Sequence, residues 1–144
     1  WLAPLWPAER PPLGRLIAAP EEGMSDAGYA CLSVLGTASL AALSEACGQD
    51  LDPRRFRGNL WVDGPEPFTE LDWPGRRLRI GEAELEVVER IDRCRATQVN
   101  PETGEEDCET LRSLRQNWGH IDFGVKARVI SGGDIATDAP LELL

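Results

Sequence analysis

The sequence contains few of the features that mark a zinc-binding, secreted or membrane protein. Its four cysteines, at positions 31, 47, 94 and 108, include no C-x-x-C pair, so neither a zinc ribbon nor a thioredoxin-like redox motif is supported. No signal peptide is apparent, and no stretch approaches the roughly 18 consecutive apolar residues of a membrane-spanning helix. We therefore expect a cytoplasmic protein with free thiols and no membrane partner.

Positive charge is also scarce, because 25 acidic residues outnumber 15 basic ones and give a formal net charge of −10. A chain of this charge is not expected to bind nucleic acid or anionic membrane surfaces. Lys126 is the only lysine, so nearly all the positive charge is carried by arginine. Arginine can hold a phosphate group through two parallel hydrogen bonds, although the codon usage of a GC-rich genome would explain the same bias.

Proline is concentrated at the start of the chain, at positions 4, 7, 11, 12 and 20, together with two tryptophans. Prolines at this density forbid a regular central strand or a long helix. The chain begins with Trp1 rather than methionine, and we expect it to be the C-terminal part of a longer polypeptide. We interpret residues 1–23 as an extended arm or the remnant of a preceding region, and residues 24–144 as one domain.

Short strand patterns dominate the rest of the sequence. In residues 83–91, Leu85 and Val87 alternate with glutamates, which is typical of a half-buried strand. Gly81 fits a tight turn that joins this strand to the one before it. The other predicted strands are residues 29–35, 60–62, 76–80, 94–99, 123–130 and 140–144.

Only two segments have a helical pattern. Thr37 can cap the start of a helix in which Leu43 lies on the buried face, and Gly48 can end it. Residues 109–116 suit a second, short helix. Many short strands with few helices indicate a mainly β fold, either a barrel or a curled sheet.

Cys94 is the first residue that could carry chemistry, and it lies between Arg93 and Arg95. A soft thiolate suits soft metals such as molybdenum or copper(I). On a strand the two arginines would point to the face opposite the thiol, yet they would still raise the positive potential around it. The alternative interpretation is a buried and inert cysteine.

A second candidate site is the segment RRFRGN, which carries Arg54, Arg55 and Arg57 together with Asn59. Gly58 permits a close approach of the backbone to a ligand. Guanidinium groups, backbone N–H groups and an amide could together bind a phosphate or the edge of a heterocycle. The alternative is a solvated turn that precedes a strand.

The segment NWGHIDFG contains His120, the only histidine, so nucleophilic catalysis by a Cys–His pair would have to use it. Asp122 could orient this imidazole. A lone histidine is more often structural or merely exposed. Cys108 lies in an acidic stretch, where a raised thiol pKa is expected to make it a poor nucleophile.

Several of these segments, in this order, resemble the MOSC domain, a family named for the C-terminal part of molybdenum cofactor sulfurase. The resemblance extends from about residue 25 to residue 144 and rests on five stretches. They are SDAGYACLSVLGTASLAAL, RFRGNLWVDG, LRIGEAELEVVERIDRCRATQVNPETG, LRSLR and FGVKARVISGGDIATDAPLELL. The resemblance implies a MOSC-type β-barrel with a few short peripheral helices and a pterin-based molybdenum cofactor.

The resemblance also implies which residues form the site. The cysteine that binds the metal in this family corresponds to Cys94. The arginine and asparagine that contact the cofactor correspond to Arg57 and Asn59. The remaining positions that would line the cofactor are Asp26, Ala27, Gly28, Asp92 and Arg93, with Lys126 placed where it could touch the cofactor phosphate.

Relatives of this kind reduce N-hydroxylated compounds such as amidoximes. The resemblance therefore implies an oxidoreductase that acts on a small N-hydroxylated substrate and is re-reduced by an external electron-donor protein, since the sequence has no ferredoxin-like cysteine spacing. One alternative is a module that carries the cofactor or a sulfur species without turnover of its own. Another is a domain that keeps the fold but binds no cofactor.

Overall fold

The computed structural model describes residues 4, 6–12, 14–15, 17–19, 27–64 and 66–144. Contacts within the chain divide it into two compact units, residues 1–30 and residues 31–144. The described residues of the second unit form six strands and two α-helices. The strands are β1 (Leu32–Gly36), β2 (Leu60–Val62), β3 (Arg77–Ile80), β4 (Ala83–Asp92), β5 (Asp122–Ser131) and β6 (Leu141–Leu143), and the helices are α1 (Thr37–Cys47) and α2 (Thr110–Trp118).

The first unit contains turns but neither a strand nor an α-helix among its described residues. One such turn is closed by a backbone hydrogen bond of 3.1 Å from Arg10 to the Pro7 carbonyl. The Trp6 indole donates a hydrogen bond of 2.8 Å to the Pro11 carbonyl. Irregular backbone is expected here, because proline removes the N–H donors that strands and helices require.

The strands form one mixed sheet in the order β2-β1-β5-β4-β3-β6. The β1–β2 pair is parallel, and the other neighbours are antiparallel. The sheet curls into a half-barrel, with β2 and β6 as its edge strands. This confirms the prediction of a mainly β fold with a few short helices.

Strands β3 and β4 form the hairpin that the sequence predicted. Leu85 and Val87 are buried, whereas Glu84 and Glu86, which alternate with them, are only partly buried. Ile80 pairs with Ala83, so the turn has two residues, and Gly81 supplies the positive φ of 57° that such a turn requires. The alternation of apolar and charged side chains therefore predicted correctly that this segment is a strand and which of its faces is buried.

Both helices and the sheet share one hydrophobic core. The largest fully buried apolar side chains are Phe56, Phe123, Leu35, Leu43, Leu78, Leu85 and Leu114. Leu43 comes from α1 and Leu114 from α2, so each helix packs an apolar face against the sheet. Phe56 comes from the short 3₁₀ turn Pro53–Phe56, which the core thereby holds in place.

Helix α1 ends as predicted but begins differently. Gly48 adopts the left-handed conformation, with a φ of 69°, and its N–H donates to the Glu45 carbonyl, which ends the helix. The predicted N-cap role of Thr37 is wrong, because Gly36 occupies that position. The Thr37 hydroxyl instead donates a hydrogen bond of 2.7 Å to Asp63, beyond the end of β2.

A buried carboxylate fixes the junction between β1 and α1. Glu70 is fully buried, and its carboxylate accepts hydrogen bonds of 2.7 and 2.9 Å from the Ser39 hydroxyl. The Gly36 N–H donates to the same carboxylate at 3.3 Å. A Cβ at position 36 would lie 2.9 Å from the Ser39 hydroxyl oxygen, so the junction requires glycine. The start of a helix favours such an anion.

The predicted strand over residues 94–99 is wrong. Strand β4 ends at Asp92, and the chain then forms the 3₁₀ turn Arg95–Gln98 with Cys94 as its N-cap. The Thr97 hydroxyl is buried and shares a hydrogen bond of 2.7 Å with the Thr110 hydroxyl at the start of α2. This contact between distant residues outweighs the strand-like alternation of the local sequence.

Candidate functional site

Cys94 lies where β4 gives way to the 3₁₀ turn, and its side chain is exposed. The other three cysteines, all within the described part of the chain, are half-buried. The Cys94 carbonyl accepts hydrogen bonds from the N–H and the hydroxyl of Thr97, so the backbone around the thiol is fixed while the sulfur faces solvent. This arrangement disagrees with a cysteine buried in hydrocarbon and leaves the sulfur free to bind a ligand.

Arg93 points inward and joins two elements of the fold. Its guanidinium donates hydrogen bonds of 2.8 and 2.6 Å to the Phe123 carbonyl on β5 and one of 2.9 Å to the Phe56 carbonyl. The guanidinium carbon also lies 5.7 Å from the centre of the Phe56 ring and 5.8 Å from that of Phe123. Burial lowers the pKa of Arg93 to about 10, which still leaves it charged at neutral pH.

Arg57 follows the Pro53–Phe56 turn directly and adopts a left-handed backbone conformation with a φ of 51°. Its side chain is exposed and makes no hydrogen bond or ion pair with any residue that the structure describes. The next residue must be glycine, because a Cβ at Gly58 would lie 2.8 Å from the Trp61 indole nitrogen. The turn thus presents a guanidinium that is exposed and has no partner among the described residues.

The other two arginines of the RRFRGN segment have partners. Arg54 pairs with Asp52 and with Glu102, and these hydrogen bonds raise the pKa of its guanidinium. Arg55 is buried and pairs with Asp107 at 2.7 Å, which lowers the pKa of that carboxyl group. Of the three arginines, Arg57 is therefore the one available to a ligand.

Asn59 is fixed by Ser33, a residue that the sequence analysis missed. The Asn59 side-chain oxygen accepts hydrogen bonds of 2.9 Å from both the N–H and the hydroxyl of Ser33. The Asn59 N–H donates in return to the Ser33 hydroxyl at 3.0 Å. A polar serine inside the apolar strand segment YACLSVL was the one signal that could have drawn attention to it.

Lys126 lies across the sheet from Ser33, with which it pairs on β1 and β5. On its other side it pairs in register with Glu89 on β4, and its ammonium group lies 3.0 Å from the Glu89 carboxylate. A bulge in β4 between Val87 and Glu89 creates this alignment. Lys126 therefore lies in line with Ser33 and Asn59 across the sheet, but its ammonium group is paired with the Glu89 carboxylate.

Asp92 and the histidine segment lie where β4 ends and β5 begins. Asp92 is exposed and pairs in register with Asp122. The His120 Nδ1 accepts a hydrogen bond of 3.1 Å from the Asp122 N–H, and its ring meets the edge of Phe68. Within the described residues no hydrogen bond joins His120 to a thiol, so the structural interpretation of this histidine is the better supported one.

The remaining predicted residues belong to the start of the chain. Ala27 and Gly28 are in the first compact unit, and Gly28 has a positive φ of 68°. Asp26 lies outside the described residues. The second unit therefore brings together Arg57 and Asn59 by itself, and the three residues at positions 26–28 stay predictions.

A cavity of about 590 Å³ lies between the two edge strands of the half-barrel. Asn59, just before β2, and Trp61, within β2, line it on one side, and Leu141 of β6 lines it on the other. Neither Cys94 nor Arg57 is among the residues that line it. Among the residues that the structure describes, no helix is both long and apolar enough to cross a membrane.

The four thiols are expected to differ in reactivity. Burial and a hydrogen bond with Cys47 raise the pKa of Cys108 to about 11, which confirms the predicted direction but gives it a different cause. Because the thiolate is the nucleophile, iodoacetamide at pH 8 should alkylate exposed Cys94 well before Cys108. Labelling of Cys108 should accelerate as the pH rises toward 11. Peptide mass spectrometry would follow both sites.

Unfolded protein in guanidinium chloride is the control for this experiment, because all four cysteines should then react at similar rates. Equal rates for Cys94 and Cys108 in the native protein at pH 8 would contradict the arrangement described above.

The fold defines the class of this protein as a small, mainly β domain built on a curled mixed sheet. Turns next to the strands carry the exposed Cys94 thiol and the exposed Arg57 guanidinium. The model of the MOSC domain family matches residues 26–142. The chain therefore belongs to the MOSC domain family, as the sequence resemblance predicted.

Two curated relatives show how the match is distributed. Molybdenum cofactor sulfurase from Oryza sativa subsp. japonica is 33% identical over 119 residues, which cover 78% of this chain and 13% of that protein. Mitochondrial amidoxime-reducing component 1 from Homo sapiens is 37% identical over 87 residues, covering 58% of this chain and 25% of that protein. The chain thus spans a quarter or less of the length of these relatives.

The fold is similar to that of solved structures. The crystal structure of YiiM from Geobacillus stearothermophilus superposes with a TM-score of 0.58 at 20% identity, covering 78% of this chain and 53% of that one. YiiM from Escherichia coli gives a TM-score of 0.54 at 24% identity, with the same coverage of both chains. These similarities support the half-barrel architecture.

Proposed function

We propose that this domain binds a molybdenum cofactor, with Cys94 as the protein ligand of the metal, and that it forms part of an oxidoreductase acting on N-hydroxylated compounds. The observation that carries the proposal is the contact between Arg93 and the Phe56 carbonyl at 2.9 Å. It joins the residue before Cys94 to the residue before Arg57. An exposed soft sulfur and an unpaired guanidinium are thereby tied to the same point of the fold.

The chemistry of the available groups fits such a cofactor. A thiolate is a suitable ligand for a soft metal. Arg57 and the N–H groups of Asn59 are donors, which suit phosphate and the acceptor atoms of a pterin. The described residues include no group of three or more His, Cys, Asp or Glu that could hold a metal ion, so the single sulfur of Cys94 fits a metal whose other ligands belong to the cofactor.

The substrate proposal follows from the relatives that carry the amidoxime-reducing name. When bound, the cofactor would supply two-electron oxygen-atom transfer, which removes the oxygen of an N–OH group as water at the cost of two electrons and two protons. The described residues hold no cysteine cluster that could store electrons. We therefore propose an external electron-donor protein as partner, and a role for Cys94 in holding and tuning the metal rather than as a nucleophile.

A carrier of the cofactor or of a sulfur species is the second candidate function. Two observations favour it. The match to molybdenum cofactor sulfurase covers most of this chain, and the exposed Cys94 sulfur is open to a partner protein as well as to a metal. Such a module would bind the cofactor tightly without turnover.

Reduction of benzamidoxime by the full-length protein, isolated from a host that makes the cofactor, separates the two candidates. With a reconstituted electron donor, an enzyme is expected to form benzamidine at a rate proportional to its molybdenum content. Stoichiometric molybdenum without benzamidine formation would favour the carrier. Protein without molybdenum, from a host whose own molybdenum enzymes are loaded, would contradict both the enzyme and the cofactor carrier.

A further inference from the structure

The orientation of the Asn59 amide is determined by its contacts. The Ser33 backbone N–H can only donate, so the Asn59 atom that it meets at 2.9 Å must be the oxygen. The Ser33 hydroxyl donates to the same oxygen at 2.9 Å and accepts from the Asn59 backbone N–H at 3.0 Å. The contact with the backbone N–H therefore excludes the flipped amide, and the two hydrogen bonds of the Ser33 hydroxyl hold Asn59 more firmly in this orientation.

Asn59 has one kind of hydrogen-bonding group left for a ligand. Its side-chain oxygen already accepts two hydrogen bonds, whereas its NH₂ group makes none with the described residues. The asparagine is exposed, so this NH₂ group is accessible. Arg57, two residues earlier, likewise offers only N–H donors. Both side chains can thus bind hydrogen-bond acceptors but cannot bind donors.

The strand register places Ser33 in contact with both Arg57 and Asn59. Val34 pairs with Leu60 in the parallel β1–β2 ladder, which brings Ser33 beside Asn59. The Ser33 hydroxyl also lies 3.5 Å from the Arg57 carbonyl, at the residue whose left-handed backbone turns the chain into β2. One hydroxyl on β1 therefore contacts the residues at both ends of the Arg57–Asn59 segment.

We propose that Ser33 is a positioning residue that locks the Asn59 amide with its NH₂ group outward, so that this part of the site selects ligand groups that accept hydrogen bonds, such as phosphate or carbonyl oxygens. The inference rests on the proposed function, since the cofactor is the ligand that it would position. Ser33 acts through Asn59 and contacts no ligand itself.

A double-mutant cycle tests this role, with molybdenum per protein after dialysis as the measure of cofactor retention. Ser33→Ala removes two of the three hydrogen bonds and should weaken cofactor binding roughly tenfold. Ser33→Thr keeps the hydroxyl and should retain binding. In an Asn59→Ala background, Ser33→Ala should cause no further loss, because the residue through which it acts is gone. A merely structural role would lower retention in both backgrounds.

Asn59→Asp provides the matched test of selectivity. The two Ser33 donors would hold one carboxylate oxygen, and the second oxygen would then present an acceptor and a negative charge where the NH₂ group was. Cofactor retention should therefore fall further in Asn59→Asp than in Asn59→Ala. Equal losses in these two variants would overturn the claim that this position selects acceptors.

NMR of the cofactor-free protein gives a readout that does not depend on the cofactor. The ¹⁵N order parameter of the Asn59 side-chain amide should be high in the wild type and in Ser33→Thr, and lower in Ser33→Ala. An unchanged order parameter in Ser33→Ala, or an additive double-mutant cycle, would overturn the positioning role alone. A wild-type protein that never contains molybdenum would instead overturn the proposed function, and the Ser33 inference with it.

Discussion

Cys94→Ala is expected to yield a folded protein whose molybdenum content falls to background. Within the described residues, the Cys94 thiolate is the soft ligand that the proposed site offers, and alanine supplies no substitute. The side chain is exposed, so its removal leaves no cavity and should change the free energy of unfolding by less than about 0.5 kcal/mol. Elemental analysis of the full-length protein, alongside a urea unfolding curve, measures both quantities.

Two further variants sharpen this prediction. Cys108→Ala removes a half-buried thiol from another part of the chain and should leave the molybdenum content unchanged. Cys94→Ser keeps the size of the side chain but replaces the soft sulfur with a hard oxygen, so it should lose the metal almost as completely as Cys94→Ala. Unchanged molybdenum in Cys94→Ala would exclude Cys94 as the ligand.

Local patterns predicted much of the fold. The alternation around Leu85 and the glycine at position 81 gave the β3–β4 hairpin, and Gly48 gave the end of α1. Each of these features depends on residues that are neighbours in the sequence. The segment at 94–99 failed because its conformation depends on the contact between Thr97 and Thr110, which lie in different elements.

The candidate site was predictable in its residue types but not in its geometry. The motif around Arg57 could be read from the sequence, yet nothing local distinguishes its unpaired guanidinium from that of Arg55, which is buried against Asp107. Ser33 meets Asn59 only because β1 and β2 pair in parallel with one particular register. Contacts between residues 26 or more positions apart, such as these, require the assembled sheet.

The inward orientation of Arg93 is the largest difference between the site predicted from the sequence and the site in the structure. The resemblance implied that Arg93 lines the cofactor, whereas in the structure its guanidinium donates hydrogen bonds to the Phe123 and Phe56 carbonyls. A half-buried arginine that donates hydrogen bonds to backbone carbonyls is a stabilising element of the fold. Its effect on the site is indirect, because it holds the turn before Arg57 against the strand end before Cys94.

Arg93→Ala is accordingly expected to destabilise the domain by about 3 kcal/mol, since it removes three hydrogen bonds to carbonyls and the packing against two aromatic rings. Arg93→Lys should recover only part of this loss, because a single ammonium group cannot reproduce the geometry of the planar guanidinium. Urea unfolding monitored by tryptophan fluorescence measures these differences.

Arg95→Ala is the matched control, because Arg95 lies on the other side of Cys94 and its exposed guanidinium pairs with Glu106 at 2.8 Å. Removal of this exposed pair should cost less than about 0.5 kcal/mol. Under conditions in which both variants are folded, Arg93→Ala should also lose molybdenum, since the Pro53–Phe56 turn is no longer tied to Cys94, whereas Arg95→Ala should keep it. Equal stability and equal metal content in the two variants would show that the Arg93 contacts do not hold the site together.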